Sequence, residues 1–501
     1  MHAAAEALLK SLNFGKNIRK DSPKETDDPV GKLAQVYETA RNALEYRAQH
    51  LVRRAAIERI LKRELVFSSG SKRISEILVQ ELRWARYTSA VHGEEIQELL
   101  EKYYELIKSG KYDREWLVGL VSAEIEEKLN PNSDYQKFTN FAFHVMKHMI
   151  RAEEISNIDL LLFAAVDKTY SQSDNQQIAF HIFKLISKQA GEDKSTEEIL
   201  TTTWDYYKKA LSNPLLNRLM ILVRRQLGPM TLIRDMYFAR PAEFEKSVQN
   251  EEDFKNLAKW VLSDQLSLMK QRMSTAMWRS LTYVFLTKML FALILEVPLE
   301  KWIGGSVKYV ALTINTLFPV AFMWILTAGI KLPGKTSQQK MIERAWEIME
   351  KFDATAEEEE VEISSEARTS TTLKFFYAIY AILFPAIFVL IAWGLIRIGF
   401  GLISIVVFVF FLSLVTFFAY RIRQTAQIYS YKPPRELGSS LGDMLLLPIV
   451  AVGSMLSRGV SRLNFLVFVF DFILEAPFKI ILRFLDAWFS FISRKTEEAV
   501  G

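Results

Sequence analysis

Forty-six residues from Phe375 to Tyr420 carry a single charged side chain, Arg397, which divides them into uncharged runs of 22 and 23 residues. At about 1.5 Å of rise per residue, a helix of about 20 apolar residues crosses a hydrocarbon core roughly 30 Å thick. Each run is therefore long enough to span a bilayer, and together they predict a membrane hairpin turning at Ile396-Arg397-Ile398-Gly399. Tyr309 to Ile330 is another uncharged run of 22 residues, interrupted by Asn315 and Pro319. Proline is tolerated in such a helix where neighbours satisfy the carbonyl it frees. Leu281 to Val297 is a shorter fourth span of 17 residues, with Lys288 near its middle and Glu296 at its end, and it extends back through Trp278 and Met277.

The first half of the chain has a different period. From Met1 to Ser280 the longest apolar run is Leu160 to Val166, bounded by Asp159 and Asp167, which is core-helix length. Asp28-Pro29 is a cap followed by a first-turn proline, opening a stripe of Leu33, Val36, Tyr37, Ala40, Leu44, Leu51 and Ala55 at helical spacing. Similar stripes occupy Ile74 to Ala85, Ile96 to Ile107, Trp116 to Leu129, Phe138 to Ile150, Ile155 to Tyr170, Ile178 to Ile186 and Ile199 to Leu211. Breakers fall between them at Ser68-Ser69-Gly70, Ser109-Gly110, Asn130-Pro131-Asn132, Gln189-Ala190-Gly191 and Asn213-Pro214. No fixed repeat of the kind that builds a solenoid is evident.

The expected fold is all-α. It comprises a flexible N-terminal segment (1–28), a cytoplasmic helical domain (29–275), spans 1 and 2 (276–330), a loop with a helix and the acidic run Glu357 to Glu360 (331–374), the hairpin of spans 3 and 4 (375–420), and amphipathic C-terminal helices (421–501). In the last region Lys479, Arg483, Asp486, Ser490 and Arg494 form a polar stripe, while Phe478, Ile481, Leu482, Leu485, Trp488, Phe489 and Ile492 cover the rest. That pattern suits a helix lying in a membrane interface. Met444 to Leu456 is too short to span and reads as a re-entrant or surface segment, and a six-span alternative counts it together with Leu463 to Glu475.

Charge orients this architecture. The 260–280 flank holds Lys270, Arg272 and Arg279, the 331–374 loop holds seven basic residues and the 421–442 flank four, against Lys301, Lys308 and Arg397 in the intervening loops. Basic flanks stay cytoplasmic, so both termini are expected there, in a plasma (inner) membrane. The start of the chain does not read as a secretory signal. With 50% apolar and 24% charged residues the chain averages a membrane part and a polar part, and zero cysteines exclude disulfides and thiolate metal sites.

Candidate chemistry is sparse. Gly329 to Thr336 fits the phosphate-loop pattern, but an uncharged span precedes it where such a loop needs a strand. A string ending at Asp471 resembles the second nucleotide motif, yet sits in an amphipathic helix. His144 and His148 have metal-ligand spacing without an acidic partner motif. Lys288, an ionisable group in an apolar span, is the possible intramembrane functional residue, and should face a partner or a water cavity. Between Arg41 and Arg63 seven basic residues outnumber Glu45 and Glu58 by five, making Arg47, Arg53, Arg54, Arg59, Lys62 and Arg63 possible contacts to an anionic partner, or a helix salt-bridged to Glu94 to Glu105. Arg83-Trp84-Ala85-Arg86-Tyr87 interleaves aromatics with arginines, as protein and nucleic-acid interfaces do.

Asn42-Ala43-Leu44-Glu45-Tyr46 and Ala56 to Arg63 resemble segments of uncharacterised multi-pass helical membrane proteins of small-genome bacteria, a resemblance covering about a tenth of the chain that implies no particular activity. The expected function is binding, as a membrane-anchored organiser, adaptor or assembly factor, with no catalytic residue, cofactor or metal. Its expected partners are the bilayer and proteins meeting the helical domain, with anionic lipid headgroups as a further candidate, rather than nucleic acid. The alternatives are a transporter or channel component using Lys288, which would face a polar cavity with Asn315, and a nucleotide-binding protein using Gly329 to Thr336.

Overall fold

The structure, a computed structural model, describes residues 3–12, 32, 51–67, 70–85, 87, 93–130, 133–151, 157–191, 195–304, 309–330, 332–350, 361–362, 371–426, 428–429, 441–462, and 480–482, 484–485, 487–489, 491–492 and 495. The described chain is helical apart from a two-residue parallel bridge pairing Ile150–Arg151 with Val361–Glu362. It forms two compact units, Met1–Arg224 with Met349–Ile363 and Val467–Gly501, and Arg225–Ile348 with Ser364–Leu466. The division between them falls inside a helix, at 224.

In the first unit the helices are α1 (Ala3–Ser11), α2 (Val52–Phe67), α3 (Ser71–Trp84), α4 (Gly93–Ser109), α5 (Arg114–Leu129), α6 (Asp134–Met149), α7 (Ile158–Thr169), α8 (Asn175–Ala190) and α9 (Thr196–Ser212). Each stripe from Ile74 onward coincides with one of them, whereas the stripe begun at Asp28-Pro29 lies mostly outside the described residues. The breakers act as expected, because Gly70, Gly110 and Gly191 sit at positive φ between helices. Asp113, Ser133, Asp174 and Ser195 accept backbone N–H groups at the starts of α5, α6, α8 and α9, and Ser195 with Glu198 completes a capping box.

Helix α5 is the centre of this unit. Trp116 through Ala123 and Ile125 are all buried, and neighbours α2, α4 and α8 pack around it. Ile57, Leu61, Leu78, Leu82, Ile96, Tyr103, Phe180 and Leu200 complete the core. The segment expected to be flexible contains α1, which buries Ala5 and Leu8 and packs on α6, so its short apolar face is enough to dock it.

A buried polar group sits between α7 and α8. The Asp167 carboxylate accepts from Ser173 Oγ at 2.7 Å and pairs with His181 Nδ1 at 2.7 Å. Burial by itself would lower the His181 pKa, but the charge and hydrogen bond of Asp167 outweigh it and hold the imidazole above its usual range. A folded pKa raised above the unfolded value contributes stability that is full below the unfolded value of about 6.5 and is lost as pH rises through the folded one. An NMR titration should therefore find His181 titrating above that ordinary value. In Asp167→Asn, which removes the largest influence opposing burial and leaves the weaker one of Glu127, it should titrate lower than in the unaltered protein.

The second unit contains the rest of α10 (Pro214–Ala239), then α11 (Pro241–Ser247), α12 (Glu251–Phe291), a π-helical turn (Ala292–Glu296), α13 (Val297–Gly304), α14 (Tyr309–Ala328), α15 (Lys335–Glu350), α16 (Thr371–Arg397), α17 (Leu402–Ala426) and α18 (Leu441–Arg462). Four helices are long and apolar enough to cross a membrane: Glu251–Leu299, Tyr309–Ala328, Ala378–Arg397 and Leu402–Gln424. The first differs from expectation, since the apolar span is the far end of a helix that begins at Glu251. No Gly or Pro interrupts Glu251 to Phe291, so nothing ends the helix where the polar part stops. The hairpin turns where expected, with Gly399 at φ 94° between α16 and α17.

Large apolar side chains stay exposed along these helices, among them Leu290, Leu293, Ile294, Val389 and Leu390. Exposed aromatics mark the ends of the apolar stretches: Trp278 and Trp324 at one end, Trp302, Tyr309 and Trp393 at the other. Trp and Tyr in such positions are enriched where helices that cross a bilayer meet its two interfaces. The Arg397 guanidinium lies 5.3 Å from the Trp393 ring. At the polar end, Phe254 packs on Trp346 at 5.3 Å, and Tyr429 Oη donates to Asp235, burial pushing this phenol's pKa far up.

Helix α18 is longer than Met444 to Leu456 and packs along α17. Its Gly453 approaches the middle of that helix so closely that an added Cβ would stand 2.1 Å from the Ser413 carbonyl oxygen. Leu463 to Glu475 lies outside the described residues.

Candidate functional site

Lys288 finds its partner on its own helix. Its Nζ donates to Glu296 Oε2 at 3.0 Å, and both side chains have no exposed surface. In a straight α-helix two residues eight apart are rotated by roughly 80°, too far for a direct approach from one face. The π-turn over Ala292–Glu296 lies between them, and each of its residues turns less than in an α-helix. That under-rotation carries Glu296 back onto the Lys288 face. Pro298 supplies a local cause, because it has no N–H for the carbonyl of Ile294 and its ring crowds that carbonyl.

Two other helices complete the site. Asn315 of α14 donates from Nδ2 to Glu296 Oε1 and, at 3.3 Å, to the Ser404 carbonyl, while Ser404 Oγ of α17 donates to the same Oε1 at 2.6 Å. The Glu296 carboxylate thus accepts three donors from three helices. The Lys288 ammonium also stands 5.0 Å from the centre of the Phe411 ring, whose face attracts a cation. Asn315 Oδ1 is buried with no hydrogen-bond partner among the described residues. Pro319 follows Asn315 by four residues inside α14, so the Asn315 carbonyl also loses its helical donor.

Beside the pair lies a groove of about 310 Å³ lined by Phe291, Leu402, Ile403, Val406, Val407 and Phe410. Every lining side chain is apolar. Lys288 therefore shares its site with Asn315, and the neighbouring cavity offers hydrocarbon rather than polar walls.

The structure disperses the other candidates. Arg53 makes two 2.7 Å bonds to Glu126 and one to the Tyr87 carbonyl, and Arg54, buried, bonds Glu58, Ser122 and Asp174. Arg63 meets Glu64 and Glu81, and Lys62 meets Glu58. These side-chain partners come from α2, α3, α5 and the cap of α8, not from the expected Glu94 to Glu105, because α2 packs on α5 and α3. Burial would raise the Glu58 pKa, but Arg54 and Lys62 hold it below the usual carboxylate range. Arg59 is half-buried, and Arg47 lies outside the described residues.

Trp84 is buried against Leu482, so the aromatic of the Arg-Trp stretch packs inward. Of the C-terminal stripe, Ile481, Trp488, Phe489 and Ile492 are exposed. His144 and His148 sit on the exposed face of α6, burial of part of the His144 ring lowering its pKa, and no group of three metal-ligating residues occurs among the described residues. Gly329 to Thr336 joins α14 to α15, with Lys335 and Thr336 already helical and Gln338 Nε2 donating to the Pro333 carbonyl at 2.7 Å. The string ending at Asp471 lies outside the described residues.

Sequence reasoning found Lys288, coupled it with Asn315 in the transporter alternative, and missed Glu296 and Ser404. Glu296 and Asn315 were visible as isolated polar residues in apolar runs, and burying each alone would cost several kcal/mol, of the order of 3 or more, so each needed a partner. Ser404, one hydroxyl among several, carried no such mark.

Fold and site together define an all-α chain with four helices long and apolar enough to cross a membrane, three of them joined by hydrogen bonds to the carboxylate of a buried ion pair. No protein-family model, curated protein or solved structure matches it.

Proposed function

We propose that this chain is a four-span integral membrane protein that acts by binding, as a membrane-anchored organiser, adaptor or assembly factor. The observation that carries the reading is the way the polar groups among the apolar helices bind one another, the Glu296 carboxylate filled by Lys288, Asn315 and Ser404. Such a junction suits a fixed frame. The first unit, with its own core, is the part suited to meeting protein partners. Basic flanks and aromatic girdles support both termini on the cytoplasmic side of a plasma membrane. The exposed Ile481, Trp488 and Phe489 suit contact with its headgroup region.

Photo-crosslinkers placed at the exposed Glu98 and Glu101 of α4, in intact membranes, test the reading. Discrete adducts to one protein are expected, and adducts no stronger than those from a control position at Ile398 would overturn it.

A second reading, a transporter or channel component, is favoured by one observation: Asn315 shares the Lys288 site. Loss of solute flux in Lys288→Met proteoliposomes would support it.

A further inference from the structure

We propose that the apolar groove along α17 is a binding site for one acyl chain of an anionic phospholipid, whose headgroup is received by Lys301 and Arg397. The proposal rests on the reading of the chain as membrane-spanning, and singles out one lipid among those that surround it.

The groove is long and narrow. Its wall on α17 runs from Leu402 to Phe410, eight residues and so about 12 Å. At the Phe410 end stands Phe291 of α12, its ring stacked on that of Phe410 within 13° of parallel. Leu402 and Val406 are exposed on the open side. Walls without a polar side chain suit an unbranched hydrocarbon, and would penalise any occupant that needs a hydrogen bond there. On a helix apolar enough to cross a membrane, what lies against that open side is lipid.

Charge at one end selects the lipid. Phe291 meets Phe410 and Glu296 meets Ser404, so the two chain segments run antiparallel. Lys301 follows Glu296 by five residues, about 8 Å further toward the end at which α17 begins with Leu402. Arg397 closes α16 five residues before Leu402. Both basic side chains are exposed, and neither has an acidic partner among the described residues, Arg397 meeting only the Trp393 ring. The connections at this end, 297–308 and 397–401, hold Lys301, Lys308 and Arg397 against Glu300, an excess of two positive charges. Exposed Trp302, Tyr309 and Trp393 lie at the same end, as side chains at headgroup level do. A tail seated between Leu402 and Phe410 therefore emerges where a net negative headgroup is complemented, and the guanidinium fork matches a phosphate.

The tail would share a wall with the ion pair. Phe291 also stands edge-on to Phe411, the ring beside the Lys288 ammonium.

Phosphatidylglycerol carrying a diazirine midway along one acyl chain, irradiated in proteoliposomes of the full chain, tests the site through the labelled peptides. Labelling within 402–410 is expected to exceed that at Val389 and Leu390, exposed apolar positions of α16 outside the groove. Excess unlabelled phosphatidylglycerol should displace it and phosphatidylcholine should not. Val406→Trp, which fills the groove from an exposed position, should bring 402–410 down to the α16 level. Lys301→Gln and Arg397→Gln should each weaken apparent affinity about fivefold. Equal displacement by the two lipids, an excess that survives Val406→Trp, or affinity unchanged in both charge variants overturns the proposal. Absence of label on α16 as well removes the membrane-spanning reading, whereas label on α16 with no excess at 402–410 removes the groove site alone.

Discussion

Glu296→Ala should destabilise the second unit by about 3–5 kcal/mol, because it strands the Lys288 ammonium among apolar helices. The loss follows from the pair having no exposed surface and from the carboxylate being the common acceptor of three helices. Lys288→Met should cost a similar amount, stranding the carboxylate instead. The double variant Lys288→Met/Glu296→Leu should regain much of either loss, since apolar residues of similar volume often replace a buried pair at no net cost. Unfolding in detergent micelles with a double-mutant cycle measures this. Additive losses would show that the two charges do not act on each other.

Gly453→Ala should part α18 from α17. A Cβ there would meet the Ser413 carbonyl oxygen at 2.1 Å and the Phe417 Cβ at 2.7 Å, and neither backbone can yield without moving a whole helix. Overpacking of this kind costs about 1–3 kcal/mol, and Gly453→Leu should exceed it. Thermal unfolding in micelles provides the measurement, with Ser413→Gly as control. Because the obstacle is the backbone oxygen, removing the Ser413 side chain should not rescue Gly453→Ala.

Most helices of the first unit were legible because apolar residues at three- and four-residue steps are enough to place a helix between Gly and Pro breakers, as at Ile96 to Ile107 and Ile199 to Leu211. The hairpin was legible for a simpler reason, since two uncharged runs of spanning length admit few arrangements. What escaped was continuity. The apolar onset at Leu281 looked like the start of an element, yet backbone hydrogen bonding depends on breakers and not on polarity, and Glu251 to Phe291 contains neither Gly nor Pro. Helix α18 escaped for the converse reason: Pro448 and Gly453 look like interruptions, but packing against α17 turns the glycine into a contact. The ion pair was half legible. Lys288 and Glu296 stood out as charges in an apolar run, but eight residues of α-helix place them on different faces, and only the π-turn makes them neighbours.

The uninterrupted helix from Glu251 to Phe291 has a mechanical consequence. Its 41 residues measure about 60 Å at 1.5 Å each, about twice what a helix needs to cross a hydrocarbon core roughly 30 Å thick. Its two ends are joined by one unbroken rod, so a tilt of about 10° at the Lys288 end would sweep the Glu251 end, and the Phe254 contact with Trp346, through roughly 10 Å. Any change at the ion pair that alters the pitch of this helix would be felt, amplified, at the opposite end of the same rod.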